Sequence, residues 1–276
     1  MARPGSGSTG KPLRQTQGKP RRWRLTPADP TTAAALARAL GVPALVASLL
    51  LRRGCDTPDA ARTFLESPLA ALHDPRLMAD MDVAVDRLRA AVARREPILV
   101  CGDYDVDGVT GTALLVDGLR RAGGTADYRV PRRLEHGYGL HPSIVEEAAA
   151  QGVRVLVSVD HGISAHEAVA LARTRGMDVI VCDHHLPPPV LPHATAILNP
   201  RRVGCPYPFK ELCGVGIGFK LLQALFGSGA EEDVWPYLDL VALGTIADLV
   251  PLLGENRILV KHGLAELARS AGGGRP

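Results

Sequence analysis

Three short apolar runs, each closed by acidic or imidazole side chains, constrain this chain more than any other feature. Residues 98–101 (Ile-Leu-Val-Cys) lead into Asp103-Tyr104-Asp105-Val106-Asp107-Gly108. Residues 153–159 lead into Asp160-His161-Gly162, and 177–182 lead into Asp183-His184-His185. A continuous apolar run of this length suits a strand buried on both faces. Helical patterns fill the intervals. One covers 109–119 and is closed by Gly123-Gly124, one opens at the capping-box pattern Ser143-Ile144-Val145-Glu146, and one opens at Ser164-Ala165-His166-Glu167 and runs to about Arg175. Strands alternating with helices in this way predict an α/β fold, a parallel sheet flanked by helices.

In such a sheet the carboxyl ends of all strands lie on one edge, where ligands bind. The three clusters therefore converge on one cleft. Carboxylates and imidazoles crowded there repel, or stay protonated, unless cations neutralise them. Mostly carboxylate donors, a little imidazole and no paired cysteines favour Mn²⁺ or Mg²⁺ over structural zinc. Asp105 and Asp107, two residues apart, can face different ions, and a single carboxylate such as Asp160 can bridge two. Two ions about 3.5–4 Å apart form the usual clamp for displacement at phosphorus, so the spacing predicts phosphoester or phosphoanhydride hydrolysis. Singly, each cluster also reads as turn or capping chemistry; a calcium loop of the EF-hand kind fails for want of a glutamate at its twelfth position. Farther along, 237–253 is nearly all apolar and its only charges are Asp239 and Asp248. An ionised carboxylate is costly to bury unpaired, so Asp248 is either a further ligand or a surface or helix-end residue before Pro251.

The rest of the chain bears on organisation. Residues 26–92 read as a helical lead-in. Asp29-Pro30 is a cap followed by proline at the first helical position, Gly41 ends that helix, and Val85, Leu88 and Val92 share a later helix face. Residues 1–25 form a basic arm: seven Lys and Arg residues and no acid stand before Leu25, within a net charge of only +3. The arm reads as a disordered leader, with contact to nucleic acid phosphates as the alternative. No apolar run reaches the roughly 18 residues of a membrane span, and no apolar secretory stretch opens the chain. Five cysteines with no Cys-x-x-Cys pair argue against a disulfide scaffold. The chain reads as cytoplasmic.

Five motifs together resemble the DHH phosphoesterase family: GDYDVDGVTGTALL at 102–115, HGYGL at 136–140, VDHGIS at 159–164, CDHHLP at 182–187 and LGTIADLVPL at 243–252. NPRR and CPYPFKELCGVGIGFKLLQAL, within 199–225, and the lead-in RGCDTPDAARTFL resemble that family's bacterial exonucleases, which degrade single-stranded DNA 5′→3′. The likeness spans residues 23 to 276 and makes 93–276 the DHH domain. It implies a two-metal exonuclease releasing 5′-mononucleotides in DNA repair and recombination. Asp105 would hold one ion and Asp107 the other, with Asp160 bridging and His184 and Asp248 completing the second site. Where smaller members carry a histidine ligand this chain has Cys101, so Asp103 is expected to replace it. His185 would stand near the scissile phosphate with Asp160 and His184 in the catalytic set; His136 and Arg132 would contact substrate, and His161 reads as a buried hydrogen-bonding residue.

The resemblance also implies a partner in single-stranded DNA, with a single-strand-binding protein or helicase as further partners. The family's exonucleases continue into a DHHA1 domain and an oligonucleotide-binding fold, both expected to be missing from this chain. The alternatives are a phosphodiesterase acting on short oligonucleotides or small nucleotides, an inactive truncated fragment, and a non-enzymatic branch that scaffolds replication proteins.

Overall fold

The structure, a computed structural model, describes residues 29–131, 139–227, 229 and 231–270. The chain divides into two compact units, one ending at Pro58 and the other beginning at Asp59. The first contains α1 (Pro30–Leu40) and α2 (Ala44–Arg52). Asp29 caps α1 as its sequence predicts: a carboxylate oxygen accepts from the Thr32 amide at 2.7 Å, Pro30 occupies the first turn, and Gly41 closes the helix at φ 67°.

The second unit runs α3 (Pro58–Glu66), α4 (Met81–Arg94), β1 (Pro97–Gly102), α5 (Val106–Arg121), β2 (Thr125–Arg129), α6 (Pro142–Ala150), β3 (Val155–Val159), α7 (His166–Thr174), β4 (Asp178–Cys182), β5 (Ala196–Leu198), α8 (Gly214–Phe226), α9 (Glu231–Val234), α10 (Leu238–Ala247) and α11 (Gly254–Ser270). α4 packs with the sheet: Met81, Val85 and Leu88 are buried in the same core as Ile98, Val100 and the α8 side chains.

The five strands are all parallel, in the order β2-β1-β3-β4-β5. The chain order reverses between β1 and β3, and a crevice opens at such a switch point beyond the carboxyl ends of the strands. The three central strands are apolar on both faces. Ile98, Val100, Val155, Val157, Ile180 and Cys182 pack toward α4, α5 and α8. Leu99, Cys101, Leu156, Val179 and Val181 pack toward α6 and α7.

Two strands escaped the sequence reading. β2 lies at a sheet edge, with only Ala126 buried, so its sequence lacks the apolar run. β5 is only three residues long. Neither capping box forms. α6 is capped by His141, whose Nδ1 accepts from the Ser143 amide, with Pro142 in the first turn. α7 starts at His166 after Ala165, which makes no side-chain cap.

A buried polar knot joins α8, α11 and the segment before α4. Lys220 and Glu255 are 0% and 1% exposed and pair at 2.7 Å. Glu255 also accepts from Tyr207 Oη at 2.6 Å and the His73 amide at 2.9 Å, while Lys220 Nζ donates to the His73 carbonyl at 2.9 Å. Every charge in it is met by a hydrogen bond, the condition under which a buried pair is tolerated. Among the described residues, no single helix is long and apolar enough to cross a membrane.

Candidate metal centre

The turn after β1 places three aspartates. Asp105 caps α5, its Oδ1 accepting from the Gly108 amide at 3.0 Å. The turn wraps so tightly that a Cβ on Gly108 would lie 2.5 Å from the backbone nitrogen and oxygen of Asp103. Asp103 is buried and Asp105 exposed at the rim. Asp107, in the first turn of α5, points inward and meets α8 end-on. Its Oδ2 accepts from the Gly214 amide at 2.6 Å and its Oδ1 from the Val215 amide at 2.8 Å. Those are unsatisfied donors of a helix N-terminus, where negative charge is favoured. Even so, burial raises the Asp107 pKa above that of an ordinary carboxylate.

Asp160 follows β3 at φ 66°, a left-handed conformation that is uncommon outside glycine. Its amide donates to the Cys182 carbonyl at 2.9 Å, which ties the ends of β3 and β4 together. Burial pushes its pKa up to about 11, aided by the charges of Asp107 and Asp105.

His184, at the end of β4, gathers the carboxylates. Its Nε2 lies 3.1 Å from Asp160 Oδ1, 3.7 Å from Asp248 Oδ2 and 4.0 Å from Asp107 Oδ2. Burial lowers its pKa to about 4, so the ring is neutral at pH 7 and able to donate a lone pair. Asp248 caps the C-terminus of α10, where the helix dipole disfavours a negative charge. Burial and then Asp107 and Asp105 raise its pKa to about 6.

These residues fit divalent cations. Three sets of donor atoms each lie within 4.8 Å of one another: Asp103, Asp105 and Asp160; Asp107, His184 and Asp248; and Asp160, His184 and His185. Both ring nitrogens of His184 and the Oδ2 of Asp248 are buried without a hydrogen-bond partner among the described residues. Buried polar atoms in native proteins are nearly always partnered, and a bound ion would supply the partner here.

All seven predicted residues from Asp103 to Asp248 thus meet at one edge of the sheet. His136 and Arg132 lie outside the described residues. Cys101 is buried on the α6 and α7 face, and burial pushes its thiol up to about 12. It belongs to none of the donor sets, whereas Asp103 does. His161 is buried and also stands outside them.

Sequence reasoning missed Asp183 as a positioning residue. Its Oδ1 accepts from His185 Nδ1 at 2.7 Å and from the His185 amide at 3.1 Å, and its Oδ2 from the Ile163 amide at 2.9 Å. Burial opposes its ionisation, but these hydrogen bonds and the His185 charge outweigh it and hold its pKa below the usual value. In return the bond to Asp183 raises the pKa of half-exposed His185. The three-residue cluster itself was the only sequence signal. Beside His185 opens a cavity of about 590 Å³ lined by Leu140, Ile163, Ser164 and His166 among others.

Comparison with known proteins places the chain in a family. The model of the DHH family, N-terminal domain, matches residues 97–245. The chain is 42% identical over 249 residues to the single-stranded-DNA-specific exonuclease RecJ of Bacillus subtilis, covering 90% of this chain and 31% of the relative. It is 44% identical over 238 residues to the RecJ of Dickeya dadantii, covering 82% and 41%. It therefore spans between about a third and two fifths of the length of these relatives. The solved structure of Thermus thermophilus RecJ in complex with Mn²⁺ superposes with a TM-score of 0.74 at 30% identity, over 92% of this chain and 38% of that one. With the parallel sheet, the acidic turns at its carboxyl edge and the match over more than half its length, the chain belongs to the DHH family of phosphoesterases.

Proposed function

We propose that this chain carries the catalytic centre of a cytoplasmic, metal-dependent exonuclease that degrades single-stranded DNA 5′→3′ to mononucleotides. The observation that carries the reading is the convergence of three donor sets, drawn from the ends of β1, β3, β4 and α10, around His184. Asp103, Asp105 and Asp160 would hold one Mn²⁺ or Mg²⁺ ion, and Asp107, Asp160, His184 and Asp248 the other. When bound, such ions neutralise the phosphodiester and lower the pKa of water to make a nucleophile.

The protein's own part is orientation and charge. Asp107 is fixed by the two α8 amides, so its carboxylate needs little reorganisation when loaded. Asp160, held by the hydrogen bond from its amide to the Cys182 carbonyl at the end of β4, stands between the two sets. His185, with Nδ1 engaged by Asp183 and its pKa raised, is suited to donate a hydrogen bond or proton to a phosphate oxygen. That the relatives are single-stranded-DNA-specific exonucleases supports this choice of substrate.

The test is hydrolysis of a 5′-labelled single strand with Mn²⁺, beside its duplex and a dinucleotide. Release of labelled mononucleotide from the single strand is expected, and Asp160→Asn should abolish it, because asparagine tolerates the left-handed backbone but binds the ions poorly. Cleavage of the dinucleotide alone would replace this reading with that of a small-nucleotide phosphodiesterase. Activity surviving in Asp160→Asn would remove Asp160 from its bridging place.

A further inference from the structure

Nothing assigned so far explains the Asn199-Pro200-Arg201-Arg202 segment. Asn199 is fully buried after β5. Its Nδ2 donates to the His185 carbonyl at 2.9 Å, and its Oδ1 accepts from the Arg201 amide at 2.8 Å. Arg201 is thereby tethered to the β4 side of the metal centre. A second tether comes from the α10 side. Arg201 Nε donates to the Lys210 carbonyl at 3.0 Å and its Nη2 to Glu211 at 2.6 Å. The Glu211 carbonyl in turn accepts from Asn256 Nδ2, which also donates to the Pro251 carbonyl, three residues beyond Asp248. Two hydrogen-bonded chains, one from each side of the cleft, thus end on Arg201, the first on its backbone amide and the second on its guanidinium.

We propose that Arg201 is a substrate-binding residue that grips a backbone phosphate of the DNA strand beside the one being cleaved. The guanidinium is a fork, and the protein occupies one side of it through Nε and Nη2. Among the described residues Nη1 has no hydrogen-bond partner, and the side chain is 25% exposed. A planar fork with one side pinned and the other open suits recognition of a phosphate oxygen.

The neighbouring cations are spent elsewhere. Arg202 pairs with Asp80, and Lys210 Nζ donates to the Cys205 carbonyl. Arg201 comes two residues after Asn199, which holds the His185 carbonyl, so its charge stands beside the metal centre. A polyanionic strand approaching a cleft walled by carboxylates needs such a fixed cation outside the metal set.

The inference rests on the reading of the substrate as single-stranded DNA. The test follows cleavage of a single-stranded oligonucleotide by the Mn²⁺-loaded chain at rising NaCl. Bis(p-nitrophenyl) phosphate, which has no neighbouring phosphate, serves as the second substrate. Arg201→Ala should raise KM for the strand about tenfold, the scale of one charge-assisted hydrogen bond, with kcat little changed. It should also flatten the dependence of log kcat/KM on log salt by about 0.7, the share of one phosphate contact on a single strand. Arg201→Lys should keep the wild-type slope, since the charge remains. Hydrolysis of the small ester and Mn²⁺ affinity should not change in either variant. An unaltered KM and salt slope in Arg201→Ala would overturn the proposal, as would an equal fall on both substrates, which would make Arg201 a support of the metal centre. A wild-type chain that leaves the strand intact would instead overturn the exonuclease reading, and this inference with it.

Discussion

Gly214→Ala tests whether the end of α8 is built around the metal centre. A Cβ at Gly214 would lie 2.6 Å from the Cβ of Asp160, 2.8 Å from its Cα and 3.0 Å from Asp107 Oδ2. Carbon atoms in ordinary contact stand about 3.5–4.0 Å apart, so α8 or Asp160 must retreat by about 1 Å. The retreat stretches the Gly214–Asp107 hydrogen bond from 2.6 Å, and the Val215 bond from 2.8 Å, past the useful limit. Hydrogen bonds to a charged group contribute about 1.5–3 kcal/mol each. Alanine recovers about 1 kcal/mol of helix propensity in the first turn of α8, too little to offset the loss of both. After partial relaxation, the expected loss is about 2–4 kcal/mol, or about 5–15 °C in Tm for a chain of this size. Thermal unfolding in EDTA reads the stability, and Mn²⁺ titration by calorimetry should show affinity reduced at least about tenfold as Asp107 and Asp160 move. A variant within about 0.5 kcal/mol of wild type that binds Mn²⁺ equally well would refute the reasoning.

Metal binding should release about one proton at pH 7.5, because Asp160, with its pKa near 11, is protonated until an ion displaces the proton, while Asp248 near 6 is already ionised and His184 near 4 already neutral. Calorimetry in two buffers of different ionisation enthalpy measures this, and buffer-independent heats would count against the crowded-carboxylate picture. The same shifts set the stability of the metal-free protein. Asp160 is raised, so its contribution is fully present below about pH 4 and declines as pH climbs toward 11; His161 and His184 are lowered, so theirs is lost as pH falls below about 6.5. Melting at pH 6 should therefore exceed melting at pH 9 in EDTA, and Mn²⁺ at a hundredfold its Kd should add about 2.7 kcal/mol at the higher pH. At the buried knot, Lys220→Met should cost about 3–5 kcal/mol by stranding the Glu255 charge, and Lys220→Met with Glu255→Gln should recover part of it in urea unfolding. A single variant as stable as wild type would refute the stabilising role of the pair.

The central strands were legible because a strand buried on both faces writes a continuous apolar run, and each such run ended in its ligands. β2 was not, because its edge position leaves four of its five residues unburied and its pattern unremarkable. The capping boxes failed for a local reason at α6. Pro142 fixes the first turn one residue before Ser143, so His141 takes the cap that the Ser-x-x-Glu pattern seemed to assign. In the centre itself, carboxylate and imidazole ligands announce their chemistry by residue type. Asn199 and the amides of Gly214 and Val215 do not, since their work depends on partners 14 to 108 residues away that only the folded chain brings near, and Asp183 is aimed at its neighbour His185 by the amide of Ile163, twenty residues upstream.

The sheet order carries a kinetic consequence. β1 pairs with β3, not only with its neighbour in sequence, and Asp107 accepts amides more than a hundred residues downstream. Long loops must close before any of those contacts repays its entropy, so the ion-binding pocket belongs to the last stage of folding. Interactions absent from the folding transition state act on the unfolding rate. Added Mn²⁺ should therefore leave the refolding rate of this chain nearly unchanged and slow its unfolding. The ion would act as a latch on the finished fold, not as a nucleus for it.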